Sequence, residues 1–415
     1  MYSWAPVSVP AVPPSEDVPG RLSLFDTSLR AVTPVGPESG EARMYVCGIT
    51  PYDATHLGHA NTYLTFDLVQ RAWLDLGLGV NYSQNVTDVD DPLLERAAQT
   101  GQDWDELASD QIELFRTDME ALRVIPPRHY VGAVESIGLV VRYIERLAET
   151  DLVYQIDDPE HPDWYFRTAQ VPGFGAVSGL DEQRMIDVFR DNGGDPDRPG
   201  KRHPLDSLLW QFARRGEPAW ESSLGAGRPG WHVECVAISL QHLGPHFDLQ
   251  GGGRDLIFPH HEMCAAQALA FTGEPMADAC VHSGLVALDG EKMSKSKGNL
   301  ELVSRLRKAG ADPMAIRLAL LAHHYRSDWE WRPEMLDEAV ARLERWRSVL
   351  NDATAVPAAE TIAAMRTAIR NDLDAPAALA AVDAWVAASS AMTSDDVDAV
   401  GEMVAAIDAL LGVRL

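Results

Sequence analysis

Positive charge is scarce in this chain. Thirty-five Lys and Arg face 62 Asp and Glu over 415 residues, a net charge of −27 with a pI near 4.7. Proteins that grip polyanions carry a basic face, so this balance argues against nucleic acid as a partner. Cysteine is scarce too: Cys47, Cys235, Cys264 and Cys280 are the four. They are too few for a disulfide scaffold and read as reduced cytosolic thiols or metal ligands. No uncharged apolar run approaches the ~18 residues of a membrane span; Ala375–Met392 comes nearest and Asp383 interrupts it. Met1–Gly20 holds five prolines and lacks the apolar segment of a secretion signal. The expectation is a cytoplasmic protein that contacts no membrane and begins with an extended surface arm, residues 1–40. No repeat period is present.

What remains is ordinary for a folded protein: 46 % hydrophobic and 23 % charged residues. Arg43–Cys47 reads as a buried strand. Leu64, Leu68, Ala72, Trp73 and Leu76 recur at helical spacing before Gly77 and Gly79. Val80–Val86 reads as a second strand. Strand, helix, strand is the βαβ opening of a parallel α/β sheet. The spacing predicts a first half of the sheet domain over 41–149, with 87–149 mainly helical. Residues 150–228, rich in Asp, Pro and Gly, read as an insertion. The second half spans 229–300, with a helix from Trp231 to Leu243, a strand near Phe247–Gln250, a helix from Pro259 and a strand near Ala279–Ala287. Residues 301–415 read as helical throughout.

Four clusters carry chemistry. His56-Leu57-Gly58-His59 stands where a helix opens. Free N–H groups and the helix dipole favour an anion there, and imidazoles can donate to phosphate oxygens as charge builds. Two histidines on a loop are otherwise plain surface residues. Lys292-Met293-Ser294-Lys295-Ser296, followed by Lys297, puts three lysines into six residues of an acidic chain. That suits a leaving pyrophosphate; the bland alternative is a solvated turn. Gly251-Gly252-Gly253-Arg254-Asp255 follows a strand, where glycines admit a close ligand and Asp accepts from ribose hydroxyls. Alone it is a plain turn. Last, Cys47, Cys235, His260 and Cys264 are soft ligands. The final two are four apart and so share a helix face. If their strands are neighbours they would hold Zn²⁺; otherwise they are small core hydrophobes.

The pair His56–His59 and Lys292–Ser296, in that order and at that separation, resembles the signature of class I aminoacyl-tRNA synthetases. Tyr45–Thr50, Gly230–Cys235, Gly251–Asp255 and Phe258–Glu262 resemble the cysteinyl branch, over roughly residues 22 to 330 and on into Asn371–Pro376. Thr50–Thr62, Pro204–Trp210 and Trp329–Trp331 look like that branch's mycothiol-pathway relatives, the ligases that join cysteine to glucosaminyl-inositol. Only 119 residues follow Ser296, and the last 65 hold three basic and ten acidic side chains. The anticodon-binding domain of the synthetases is therefore not expected. Two other readings stay open: a cysteinyl-tRNA synthetase without that domain, and a non-enzymatic regulator on a synthetase fold.

The resemblance implies a Rossmann-like parallel sheet with an insertion and a helical C-terminal region. It implies activation of L-cysteine by ATP, with Mg²⁺, to cysteinyl-adenylate. Transfer to the amine of glucosaminyl-inositol then releases AMP, and the enzyme is a monomer. Thr50, His56 and His59 would line the phosphates, while Lys292 and Lys295 would neutralise pyrophosphate. Asp255, with the backbone of Gly253 and Arg254, would hold the adenosine. Val286 would line the adenine pocket, with Asn85, Val86 and Thr87 nearby. Gly48, Thr50 and Trp231 would bound the cysteine, with Cys47, Ile49 and Thr62 in the same adenylate-binding set. One Zn²⁺ per chain would be held by Cys47, Cys235 and His260, with Cys264 close by and unligated. His261 and Glu262 would serve as local hydrogen-bonding partners.

Overall fold

The computed structural model describes the chain except residues 16, 17, 19, 53, 54, 289, 293–299, 350–354 and 392–395, and leaves aside the side chains of 291 and 292. An extended segment leads into a hairpin of β1 (Ser23–Asp26) and β2 (Ala31–Pro34). Then come β3 (Glu41–Val46), α1 (Leu57–Asp75) and β4 (Gly79–Val86). Helices α2 (Asp91–Thr100) and α3 (Trp104–Ala121) precede β5 (His129–Gly132) and α4 (Ile137–Leu147). The insertion holds β6 (Val153–Gln155), β7 (Trp164–Phe166), α5 (Glu182–Asp191), β8 (Ser207–Phe212) and β9 (Gly227–Pro229). Next are α6 (Trp231–Leu243), β10 (Phe247–Gly253), α7 (Glu262–Thr272) and β11 (Ala277–Ser283). Short strands β12 (Val286–Leu288), β13 (Glu291–Lys292) and β14 (Trp329–Glu330) form a small sheet. The rest is helical: α8 (Val303–Lys308), α9 (Pro313–Leu321), α10 (Glu334–Ser348), α11 (Ala359–Arg370), α12 (Ala375–Ala391) and α13 (Ala399–Leu411).

Five strands form one sheet in the order β11-β10-β3-β4-β5, all parallel. A parallel sheet needs both faces covered. Helix α1 packs against β4, β10 and β11, and α6 packs against β3 and β4. The chain runs outward from β3 through β4 to β5, then returns to place β10 on the other side of β3. Strand order therefore reverses between β3 and β10, and a crevice opens beyond their carboxyl ends, the place where open α/β sheets bind ligands.

Helix α1 is buried on nearly every face, from Leu57 to Trp73. That is the pattern of a central helix. It lies between the sheet and the C-terminal helices α9 and α13. Val46, Leu64, Leu318 and Leu410 consequently belong to one hydrophobic core. Among the described residues no helix is long and apolar enough to cross a membrane.

Four expectations need correction. The N-terminal segment is anchored rather than merely lying on the surface. Trp4 is buried, donates to Val124 O at 2.6 Å and meets Phe115 and Tyr130 edge-on. Residues 301–415 are not helical throughout: β14 lies among them and pairs in parallel with β12. The strand expected over Ala279–Ala287 is two strands in two sheets. The chain turns out at Gly284, where a Cβ would lie 2.1 Å from Ser327 O. Gly251–Gly253 do not form a turn after a strand; they are the last residues of β10. A Cβ on Gly251 would sit 2.3 Å from the Phe66 ring, so glycine lets α1 close onto the sheet.

Candidate active site and metal centre

Strand β3 ends at Cys47, whose N–H donates to Gly251 O at 3.1 Å. Gly48 N–H donates to the Asn85 side chain at 2.7 Å, and Thr87 N–H donates to Ile49 O at 3.0 Å. The loop is thus wedged between the ends of β10 and β4. A Cβ on Gly48 would fall 1.6 Å from Asn85 O, so this position requires glycine. His56 caps α1 in extended conformation, its Nδ1 accepting from His59 N–H at 3.3 Å. The two imidazoles stack at 3.8 Å, both facing the crevice.

A cavity of about 300 Å³ fills this crevice. The β3–α1 segment contributes Cys47, Gly48, Ile49, Thr50, His56, His59 and Thr62; Gly253, Asp255 and Val286 close the other wall. Thr62 is fixed by a 2.7 Å hydrogen bond to Ser283 Oγ. Asn85, Val86 and Thr87 do not line it. They are buried one layer behind, with Asn85 bracing Gly48 and Thr87. The Arg254 guanidinium donates to Asp328 and Arg326 O at 2.6 Å, which leaves its backbone beside Gly253 and Asp255.

Lys292 ends β13, opposite Ala287; Lys295 lies outside the described residues. The chain returns at Glu301–Val303 beside the stacked histidines. Leu57 N–H donates to Glu301 O, Val303 N–H donates to Thr55 O, and His56 bridges Leu302. The described residues flanking 293–299, Lys292 and Glu301–Val303, are thus joined to chain next to the cavity-lining Val286 and His56.

Cys47 also belongs to a second cluster. The ligand atoms of Cys47, Cys235 and His260 all lie within 4.8 Å of one another. Cys47 Sγ is 4.0 Å from Cys235 Sγ and 3.2 Å from His260 Nε2. Tetrahedral zinc at ~2.3 Å from sulfur and ~2.0 Å from nitrogen places two sulfurs roughly 3.8 Å apart and sulfur roughly 3.5 Å from nitrogen. The donor set and its spacing fit that ion. Cys264 joins a different trio, with His232 and His260. His232 Nδ1 is 2.9 Å from His260 Nδ1, which orients the ring and leaves Nε2 pointing at Cys47. Burial holds the His232 imidazole well below its ordinary pKa, with the His260 charge second, so it is neutral and able to accept.

A chain of imidazoles runs away from Cys47. His261 Nε2 lies 3.2 Å from Cys47 Sγ, His261 Nδ1 is 2.7 Å from His282 Nε2, and His282 Nδ1 is 2.7 Å from Thr27 Oγ1. Burial drives both rings down, His282 to about 3, so both are neutral. Glu262 accepts from Gly175 and Ser178 N–H at 2.7 Å, tying α7 to the insertion. Trp231, first residue of α6, stacks on His260 at 4.7 Å. The sequence alone carries no signal for a role of His232, His282 or Thr27. Each is a lone polar residue whose place depends on contacts between distant segments.

Residues 34–341 match the family model described as the tRNA synthetases class I (C) catalytic domain. The whole chain is 56 % identical over 434 residues to an L-cysteine:1D-myo-inositol 2-amino-2-deoxy-alpha-D-glucopyranoside ligase of Catenulispora acidiphila, covering 100 % of both. To the protein of the same name from Thermobispora bispora it is 59 % identical over 416 residues, again covering 100 % of both. The chain belongs to this ligase family, within the class I (C) synthetases. Among solved structures it resembles the LeuRS of the LeuRS–tRNA–LeuAMS complex from Agrobacterium radiobacter K84, with a TM-score of 0.68 at 11 % identity, over 90 % of this chain and 84 % of that one. That likeness speaks for the fold: a central parallel sheet flanked by helices.

Proposed function

We propose that this protein is an ATP-dependent, AMP-forming ligase. It activates L-cysteine as cysteinyl-adenylate and passes the cysteinyl group to the amine of glucosaminyl-inositol, giving a precursor of mycothiol. The observation that carries this reading is the double placement of Cys47, which lines the histidine-walled cavity and also belongs to the Cys47–Cys235–His260 cluster. A phosphate-type site and a thiol-selective site then meet at one residue. Whole-chain identity to ligases of that name favours the amino sugar over tRNA as acceptor, as does the net charge of −27.

In this reading His56 and His59 donate to the α-phosphate as charge develops during adenylate formation, Asp255 accepts from the ribose hydroxyls, and Val286 bounds the adenine. Asn85, Val86 and Thr87 hold the floor in place. Cys47, Cys235 and His260 would hold a zinc ion, which when bound supplies a soft Lewis acid for the cysteine sulfur. Mg²⁺ would accompany ATP. Catalysis is then positioning plus electrostatic stabilisation. The enzyme works as a cytoplasmic monomer; its four free cysteines fit a reducing compartment.

Two measurements follow. Purified protein given cysteine, ATP and glucosaminyl-inositol should release one AMP per amide formed, read by mass spectrometry, with nothing when any component is withheld. AMP release independent of the amino sugar would contradict the ligase reading. Lys292→Ala or Lys295→Ala should lower the rate of cysteine-dependent pyrophosphate exchange roughly 100- to 1,000-fold, with a much smaller change in the KM for cysteine. The lysine charge matters most as pyrophosphate leaves. A normal exchange rate in both variants would show the segment to be a surface turn.

A further inference from the structure

A second cavity, of about 550 Å³, adjoins the first and shares Thr50 with it. Its size is that of a small-molecule site. Its walls come from three places: Asp90, Asp91 and Glu95 at the start of α2; Asn192–Asp195 of the insertion; and Gln211, Arg228 and Trp231 around β8, β9 and the start of α6. It thus reaches from Trp231 and His232, which contact His260, to the insertion.

The charges in it are not equivalent. Asp91 is paired with Arg228, and Asp195 with Lys201 at 2.8 Å. No ion pair among the described residues engages Asp90 or Glu95. Arg228 is almost fully buried and its guanidinium is engaged by both Asp91 and Glu217. Asp90 is partly buried and caps α2, its Oδ1 accepting from Asp91 N–H at 2.9 Å. The rings of Trp231 and Phe189 add apolar faces. Open carboxylates, side-chain amides and ring faces are what a cationic amino-polyol needs: anions for the ammonium, donors and acceptors for hydroxyls, flat surfaces for C–H edges.

We propose that this cavity is the acceptor site, and that Asp90 binds the amino group of the sugar and takes a proton from it. This rests on the ligase reading above. The ammonium gives one proton to the Asp90 carboxylate and so frees the nitrogen lone pair. A C–N bond forms at the cysteinyl carbonyl, the bond from that carbon to the AMP oxygen breaks, AMP leaves as an anion, and the nitrogen's surplus proton goes to solvent. Burial, then the Asp91 charge, push the Asp90 carboxyl up to about 6, which suits a proton acceptor near neutral pH.

Asp90→Asn tests this, because Asn caps helices as well as Asp does, so α2 keeps its start. On the metal-loaded protein, cysteine-dependent pyrophosphate exchange and transfer to glucosaminyl-inositol are measured side by side. Transfer should fall roughly 100-fold or more beyond any fall in exchange. In competition, the wild type should prefer glucosaminyl-inositol to the same compound with a hydroxyl replacing the amine, and Asp90→Asn should lose that preference. If transfer falls only in step with exchange, or stays within about threefold of wild type, the assignment is wrong. Wild-type protein that exchanges pyrophosphate but never transfers to the amino sugar would instead overturn the ligase reading itself.

Discussion

Cys47→Ala should lose bound zinc and cysteine activation together, and it should be the most damaging single change to the chemistry. Wild-type protein is expected to carry about one zinc per chain by elemental analysis, and the variant almost none. Cysteine-dependent pyrophosphate exchange should drop by roughly 10⁴-fold, the scale on which a substrate-specific polar contact is worth discrimination without editing. The physical reason is the distinction between cysteine and serine. A thiol loses its proton near neutral pH and is a soft ligand; a hydroxyl does neither. Cys47 is fixed for this task by its backbone bond to Gly251 O and by His261 and His260, each 3.2 Å from its sulfur. Calorimetry gives a readout apart from turnover: the variant should show no measurable cysteine binding in the absence of ATP. Full exchange by metal-free protein would refute the metal assignment.

Asp67→Ala should be the most destabilising change away from the site. Asp67 is fully buried on α1. Its Oδ2 accepts from Arg71 Nε at 2.7 Å and from Arg317 Nη2 on α9, and its Oδ1 accepts from Ile125 N–H at 2.8 Å. The same guanidiniums cap carbonyls at the end of α13: Arg71 reaches Asp408 O at 2.7 Å and Arg317 reaches Leu411 O at 2.6 Å. One carboxylate therefore bridges the two cations that join α1, α9 and α13. Arg71 has a second carboxylate, Asp408, at 4.0 Å, but removing Asp67 leaves the buried Arg317 guanidinium with no ion-pair partner among the described residues, at a cost of about 3–5 kcal/mol, measurable as lost folding free energy in urea. Burial opposes ionisation of Asp67, but Arg317 and Arg71 outweigh it and hold the carboxyl below its ordinary value. Its contribution is thus complete above the unfolded-state pKa of about 3.9 and is lost as the pH falls through the lower folded value. Asp67→Asn should lack that part of the acid dependence. An Asp67→Ala protein as stable as wild type would show that the cluster does not hold the C-terminal helices.

The sequence made local features legible and left long-range ones to the fold. The α1 start at His56–His59 was readable because a capping residue and a helical period sit side by side. The cysteines and His260 were readable only as a set of soft ligands. Their meeting depends on β10 pairing with β3, which brings together residues up to 213 apart and which no local pattern encodes. Strand β5 has four residues just beyond Pro126-Pro127, too short for a period to register. The strand read over Ala279–Ala287 ran through Gly284, because the Ser327 carbonyl that demands glycine there lies 43 residues on. Asp90 carries no local sign of a role beyond capping α2; the role proposed for it depends on the cavity beside it, walled in part by the insertion.

A chase of the isolated intermediate decides whether one adenylate-forming site serves an amino-sugar acceptor. Protein is loaded with radiolabelled cysteine and ATP, stripped of free substrates, and mixed in parallel with glucosaminyl-inositol or with tRNA specific for cysteine. The label should move within one turnover into an amide with the amino sugar, and none above background should enter tRNA. Label passing to tRNA while the amino sugar gives no product would contradict the ligase reading and make this chain a cysteinyl-tRNA synthetase.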